Sequence, residues 1–150
     1  MNLLKAQNLK KTFGHIVAVD DISLSLDIGE VVGFLGPNGA GKSTTMKMLT
    51  GFLEPDEGSV FIKKLNLHDH PLKSKSFMGY LPEGAPAYSD MTVSSFLNFI
   101  GLMRGLKDSL LINRLKEMSD QINLNSVWDQ PIETLSKGYK RSENSFDLYI

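Results

Sequence analysis

The segment GPNGAGKST, residues 36–44, constrains the fold of this chain more than any other feature of its sequence. A glycine is followed by four variable residues and then by Gly-Lys-Ser, between the apolar run VVGFL and a stretch whose apolar residues have helical spacing. This spacing, in this context, is typical of a loop that encloses phosphate groups. The pattern therefore predicts a buried strand, a phosphate-binding loop and a helix in direct succession.

The residue types in this loop match the chemistry of phosphate binding. Glycines allow the backbone to aim successive N–H groups at one anion, and the N-terminus of the following helix also favours negative charge. Lys42 is expected to neutralise the β- and γ-phosphates of a nucleotide, and the Ser43 hydroxyl is expected to bind the bridging Mg²⁺. Kinases, GTPases and several classes of ATPase share such a loop, so it does not by itself define the reaction. The predicted nucleotide-binding residues of the loop are Gly36, Asn38, Gly39, Ala40, Gly41, Lys42, Ser43 and Thr44.

The composition is that of a globular protein and excludes several other classes. Among the 150 residues 41% are hydrophobic and 22% are charged, which is enough for a domain with a core. The 16 basic side chains nearly balance the 17 acidic ones, so the net charge gives no indication of a nucleic-acid partner. The sequence has no cysteine for a disulfide or a thiolate metal site. It shows neither a signal peptide nor a long apolar stretch, so a cytosolic location is the expectation.

The first half of the sequence is predicted to be rich in strands. Alternation of apolar and polar residues in IVAVDDISLSLDI favours a half-buried antiparallel strand, whereas the unbroken run VVGFL favours a parallel strand buried on both faces. Strands are predicted over residues 3–11, 16–27, 31–35, 59–65 and about 77–81, and a helix over residues 43–50 with its C-terminal cap at Gly51.

The apolar period changes from that of strands to that of helices after about residue 90. One apolar stripe at helical spacing spans residues 93–103, and a second spans residues 111–122 after a glycine. The predicted organisation is a strand-rich part with the phosphate loop over residues 1–90, a helical part over residues 91–136, and the start of a further helix with a tail over residues 137–150.

The whole stretch from LKKTFGHIVAVDD to LTGFLEPDEGSV resembles the nucleotide-binding domain of ATP-binding cassette (ABC) transporters. The resemblance extends over about residues 2–141. It implies an α/β fold of the P-loop NTPase class and ABC type. In that fold an N-terminal antiparallel β subdomain and a partial parallel core sheet accompany an α-helical subdomain, and the C-terminal part of the core is expected to be missing from this chain.

The resemblance also implies ligands, partners and a location. ATP and Mg²⁺ are the expected cofactors. The expected partners are a transmembrane permease subunit and a second nucleotide-binding subunit, with no nucleic acid, and the expected location is cytoplasmic, peripheral on the inner face of the cell membrane. The variants YLPE and LSKGY look most like the exporter subclass that includes gliding-motility and drug-efflux ATPases.

Three further sites are assigned by resemblance. The family's adenine-stacking aromatic residue corresponds to Phe13. The family's glutamine loop corresponds to the segment around Glu83, a carboxylate that is also able to approach Mg²⁺. The segment LSKGY, residues 135–139, is similar to the Leu-Ser-Gly-Gly-Gln signature at Leu135, Ser136 and Gly138. In a closed dimer this segment is expected to face the γ-phosphate of ATP held by the opposite subunit.

The tail SENSFDLYI departs from the family. In the family the signature helix leads to a buried strand that ends in Asp-Glu, and that glutamate orients the attacking water. No such pair follows the signature here, so no catalytic residue is predicted, and we expect a chain truncated after the signature that binds ATP without hydrolysing it. The alternatives are another P-loop ATPase or phosphotransferase, and a nucleotide-binding adaptor without turnover.

Overall fold

The computed structural model describes residues 2–80, 88 and 90–135. The chain divides into two compact units, Met1–Met78 and Gly79–Ile150. The domain boundary predicted at about residue 90, between a strand-rich and a helical part, stays a prediction. In the described ranges no helix combines the length and the apolar character that are needed to cross a bilayer.

The first unit contains a four-stranded antiparallel sheet in the order β2-β1-β3-β4. β1 and β2 pair along their whole length as a long hairpin, which confirms the first two predicted strands. The strand predicted over residues 59–65 is divided between β3 and β4, which form a short hairpin of their own. The strands are β1 (Asn2–Phe13), β2 (Ile16–Asp27), β3 (Glu57–Ile62) and β4 (Leu65–Asn66).

Two helices accompany this sheet. α1 (Lys42–Leu49) follows the phosphate loop as predicted and has its C-terminal cap at Thr50, one residue before the predicted position. Its buried side chains join a core built with residues of the first three strands. A short second helix, α2 (Pro71–Lys75), was not predicted, although the proline at its first position is a recognised signal for a helix N-terminus.

Two predicted strands are wrong. Residues 31–35 form no strand, and Val31 and Leu35 are 98% and 93% exposed instead of buried on both faces. A central parallel strand requires neighbours on both sides, and the described residues supply none beside this segment. Residues 77–80 also lack strand structure, because the N–H groups of Phe77 and Met78 donate to the last turn of α2.

The described residues of the second unit contain two α-helices, where the two apolar stripes predicted them. Thr92 caps the first helix by accepting a hydrogen bond from the backbone N–H of Ser95 at 3.2 Å. The helices are α3 (Val93–Met103) and α4 (Asp108–Gln121), followed by a 3₁₀ turn (Ile132–Thr134). Apolar residues of both helices and of the following segment form one buried core, with Leu97, Met118, Leu124 and Ile132 at its centre.

Gly58 provides a test of the sheet. It lies opposite an irregularity of β1, with φ at +92°, and an added Cβ would lie 2.4 Å from the carbonyl oxygens of both Gln7 and Asn8. We expect Gly58→Ala to lower the free energy of unfolding by about 2 kcal/mol or more, because strained backbone and a clash with backbone atoms act together. Urea denaturation monitored by circular dichroism measures this change.

Gly14→Ala is the matched control for Gly58→Ala. Gly14 also has a positive φ, +57°, but an added Cβ there would meet no atom within 4 Å. Its variant should lose only the backbone contribution, about 1 kcal/mol. Equal losses in the two variants would show that the contact with β1 does not matter.

Candidate functional site

The phosphate loop, residues 36–44, is a tight turn that continues into α1. The N–H of Ala40 donates to the carbonyl of Pro37 at 3.3 Å, and Gly41 is the N-terminal cap of the helix in a left-handed conformation, with φ at +79°. The first helical hydrogen bond joins the Thr45 N–H to the Gly41 carbonyl at 2.8 Å. The N–H groups of residues 42–44 therefore have no acceptor inside the helix.

Gly41 sits directly against β2. A Cβ added to this residue would lie 2.2 Å from the carbonyl oxygen of Ala18 and 3.1 Å from a methyl group of Val19. Thr45 holds Gly41 from the side of the protein core, because its fully buried side chain donates a hydrogen bond to the Gly41 carbonyl at 2.9 Å. Only glycine has both the conformation and the small volume that this position requires.

Lys42 folds back over the loop. Its Nζ donates to the carbonyl oxygens of Gly36 at 2.7 Å and of Pro37 at 2.6 Å. Among the described residues no acidic side chain forms an ion pair with it. The ammonium is thus held near the loop by neutral acceptors, and a charged phosphate oxygen is a stronger acceptor than either carbonyl.

The start of α1 has the donors that an anion needs. The helix has no side-chain cap and no acidic residue in its first turn, Ser43 is exposed and Thr44 is half-buried. Over the described parts of the chain no cluster of three or more His, Cys, Asp or Glu side chains is arranged to hold a metal ion. The hydroxyl groups of Ser43 and Thr44 fit Mg²⁺ only when phosphates are bound as well, since Mg²⁺ in such sites takes most of its ligands from phosphate and water.

The far end of the β1–β2 hairpin carries exposed apolar side chains. Phe13, the last residue of β1, pairs with Ile16 and is 50% exposed, so it is not a core residue. The ammonium of Lys11 lies 5.9 Å from the centre of its ring. Ile16 and Val17 are exposed as well, and Val17 immediately precedes the residue whose carbonyl contacts Gly41. An aromatic surface and the phosphate loop therefore lie along the same hairpin.

The structure brings together only some of the residues predicted from the sequence. The eight loop residues form one turn, and Phe13 lies on the hairpin on which that turn rests. Leu135 is 7% exposed and belongs to the core of the second unit. Glu83, Ser136 and Gly138 lie outside the described residues.

Sequence reasoning did not single out Thr45 or the exposed pair that follows the hairpin turn, Ile16 and Val17. The signal for Thr45 was present, because threonine in the first turn of a helix often bonds to the carbonyl four residues earlier. For the exposed pair the alternation pattern indicated a strand but not which of its residues stay uncovered.

The family model described as "ABC transporter" matches residues 19–143. The matched range contains the whole phosphate loop and the described helices of both units. This chain belongs to the ABC transporter family and corresponds to its ATP-binding part.

Curated relatives are similar over nearly the whole chain. The chain is 37% identical over 142 residues to the linearmycin resistance ATP-binding protein LnrL of Bacillus subtilis. The aligned region covers 95% of this chain and 46% of that protein. It is 32% identical over 139 residues to the probable multidrug ABC transporter ATP-binding protein YbhF of Escherichia coli. Here the aligned region covers 93% of this chain and 24% of that protein. A lipopolysaccharide export system ATP-binding protein, LptB of Acidithiobacillus ferridurans, is 34% identical over 143 residues, with 93% and 58% covered. The chain therefore spans between about a quarter and three fifths of the length of these relatives.

Solved structures of the family have the same fold. An ATP-binding subunit of an ABC transporter superposes with a TM-score of 0.85 at 28% identity, covering 97% of this chain and 60% of that one. An ATP-binding cassette of an ABC transporter in its ADP conformation superposes with a TM-score of 0.79 at 26% identity, covering 99% and 65%. These similarities confirm the predicted fold class, an α/β P-loop fold of ABC type with an N-terminal antiparallel sheet.

Removing the ammonium of Lys42 tests the phosphate loop. We expect Lys42→Ala to weaken ATP binding by about 30-fold or more, because a hydrogen bond to a charged group contributes roughly 1.5–3 kcal/mol and the phosphates lose their counter-charge. Titration calorimetry on the folded protein measures the affinity.

Lys47→Ala is the matched control, since Lys47 lies on the same helix but in its last turn, with an exposed side chain. Its ATP affinity should equal that of the wild type. An unchanged affinity in Lys42→Ala, or an equal loss in the two variants, would contradict phosphate binding by this loop.

Proposed function

We propose that this chain binds MgATP as the nucleotide-binding portion of the ATP-binding subunit of an ABC exporter. The observation that carries the proposal is the position of the Lys42 ammonium, which donates hydrogen bonds to the Gly36 and Pro37 carbonyls at the N-terminus of α1, a helix without a side-chain cap. A site that concentrates free N–H donors and a cation, with no acid in the first turn, favours a multiply charged anion.

The phosphate chain is bound from two sides in this proposal. The N–H groups at the start of α1 donate to its oxygens from one side, while Lys42 leaves its carbonyl partners and donates from the other. Ser43 and Thr44 supply hydroxyl groups beside them, and bound Mg²⁺ supplies further charge neutralisation. The contact of Gly41 with β2 keeps these donors in place before the nucleotide arrives.

The base is bound by stacking in this proposal. Phe13 is half-exposed at the end of the hairpin, and a ring in this position offers one face to a planar base. Ile16, which pairs with Phe13 across the hairpin, adds exposed apolar surface beside it. Because stacking does not read the hydrogen-bonding edge of a base, the site should discriminate weakly between ATP and GTP.

Export is supported by the names of relatives. The linearmycin resistance protein, the probable multidrug transporter protein and the lipopolysaccharide export protein are ATP-binding proteins of this family. The Nod factor export ATP-binding protein I of Ralstonia nicotianae is also 32% identical over 139 residues. We therefore propose a transmembrane permease subunit as partner and a peripheral position on the cytoplasmic face of the membrane.

A second nucleotide-binding subunit completes the proposed assembly. The signature segment, residues 135–139, is proposed to face the γ-phosphate of ATP bound by that second subunit. Leu135 supports this role, because its buried side chain anchors the start of the segment in the helical core. The family match leaves no support for another class of P-loop enzyme.

The stacking role of Phe13 is tested by two substitutions. Phe13→Ala should weaken ATP binding about fivefold, because stacking of a base on an aromatic ring contributes roughly 1–3 kcal/mol. Phe13→Tyr keeps the ring and should bind ATP within about twofold of the wild type. Equilibrium titration with ATP, GTP and inorganic tripolyphosphate measures these effects.

Tripolyphosphate is the control ligand for Phe13, since it carries the charge of the nucleotide without the base. Its affinity should not change in Phe13→Ala. Equal ATP affinity of the wild type and Phe13→Ala would remove the base contact, and a parallel loss for both ligands would indicate a change in the loop instead.

Hydrolysis by residues 1–150 is expected to be negligible. Attack by water requires a positioned base, and the sequence offers Lys42 and Ser43 for the phosphates without an Asp-Glu pair after the signature segment. Phosphate release with MgATP should be no faster than that of Lys42→Ala. Robust release that depends on Lys42 would show that a base lies within residues 1–150 and would correct this part of the proposal.

A further inference from the structure

We infer that Asp56 is a positioning residue of the nucleotide site, which holds the end of β1 and Lys11 so that Phe13 presents its ring to the base. This inference rests on the proposed function, because it assigns the support of the proposed stacking surface. Asp56 itself lies in the segment between α1 and β3, and its carboxylate bonds to Lys11 and Thr12 of β1.

Asp56 bonds to three consecutive residues of β1. Its backbone N–H donates to the Lys10 carbonyl at 2.9 Å. Its carboxylate accepts from Lys11 Nζ at 2.7 Å through one oxygen and from the Thr12 N–H at 2.7 Å through the other. The next residue of β1 is Phe13, so these bonds hold the strand immediately before the stacking ring.

The Asp56 carboxylate supplies a hydrogen-bond acceptor to β1 beyond the point where its pairing with β3 ends. β3 pairs with β1 only as far as Lys10, which lies opposite Glu57, so the final residues of β1 have a strand neighbour on the β2 side alone. The bond from Thr12 to Asp56 satisfies an N–H group that this edge would otherwise leave to water. The end of the strand is therefore fixed by one side chain.

Lys11 connects the carboxylate with the ring. Residues two apart in a strand lie on the same face, and the Lys11 ammonium lies 5.9 Å from the centre of the Phe13 ring. The side chain of Lys11 is only 15% exposed, so its position is restricted by its surroundings as well as by the ion pair. Cation, ring and carboxylate thus form one connected group at the end of the hairpin.

The same contacts stabilise the ionised form of Asp56. The hydrogen bond from Lys11 and, next, that from Thr12 hold the pKa of the Asp56 carboxyl below its ordinary value. The carboxylate, which is the form present at neutral pH, attracts the ammonium of Lys11 and accepts both hydrogen bonds.

Asp56 also relates the ring to the phosphate loop. The chain reaches Asp56 directly from α1, and the N–H groups of Phe52 and Leu53 both donate to the Lys47 carbonyl, at 2.8 and 3.1 Å. This short connection is bonded to α1 at one end and to β1 at the other. Consequently, Asp56 joins the helix that begins at the phosphate loop to the strand that ends at the stacking ring.

The test compares ATP with inorganic tripolyphosphate in the 150-residue protein. Asp56→Ala should weaken ATP binding about fivefold and leave tripolyphosphate binding within about twofold, because only the ring is displaced. Asp56→Asn retains an acceptor for the Thr12 N–H and should fall between Asp56→Ala and the wild type. The ratio of the two dissociation constants is measured on one preparation, so a partly unfolded sample does not mimic the effect.

Glu57→Ala is the matched control. Glu57 is adjacent in sequence and pairs with Lys10 at 3.3 Å, but its side chain is 68% exposed, and the bonds of Lys11 Nζ and the Thr12 N–H described above go to Asp56. Its ratio should equal that of the wild type. An unchanged ratio in Asp56→Ala, or the same change in Glu57→Ala, would overturn the positioning role alone. Failure of the wild type to bind either ligand would instead overturn the proposed function and this inference with it.

Discussion

The contact between Gly41 and the carbonyl of Ala18 is the constraint on which the candidate site depends. It leaves no space for a side chain, since a Cβ would lie 2.2 Å from that oxygen, and it brings the N-terminus of α1 onto the β1–β2 hairpin. The hairpin pairs through its last residues, Phe13 and Ile16, and so extends beyond this contact. The candidate phosphate loop therefore rests on the same antiparallel hairpin that carries the exposed ring of Phe13.

The elements that were predicted correctly are those whose partners lie close in sequence or within one core. The helix Val93–Met103 has the predicted bounds, because its apolar stripe faces a core supplied by neighbouring segments. An apolar run such as residues 31–35 indicates a tendency to be buried but does not identify what covers it. Strand structure needs a paired neighbour for its backbone groups, and the described residues provide none there. The sequence pattern was therefore sufficient for the long hairpin and for the helices with a clear apolar stripe, and insufficient for a parallel strand.

The candidate site shows the same limit at the level of single residues. The phosphate loop is a local feature, so its residue types and spacing predict both its position and its turn. The bond between Lys11 and Asp56 joins residues that are 45 positions apart. Neither the alternation of apolar and polar residues in β1 nor the sequence of the turn before β3 predicts this pair. The register of β1 against β3 brings the two residues together.

The two halves of the proposed site differ in how strongly they are able to bind. Charge-assisted hydrogen bonds to phosphate are roughly twice as strong as neutral ones, and several act on one phosphate chain. In the proposed complex part of this gain is offset, because Lys42 exchanges its carbonyl acceptors at 2.6 and 2.7 Å for the phosphates. Stacking on one exposed ring adds roughly 1–3 kcal/mol and depends on the ring being held still. In the proposed site, affinity is therefore set mainly at the helix N-terminus, whereas the position of the base is set at the hairpin end, where the Asp56 carboxylate bonds to the last residues of β1 before the ring.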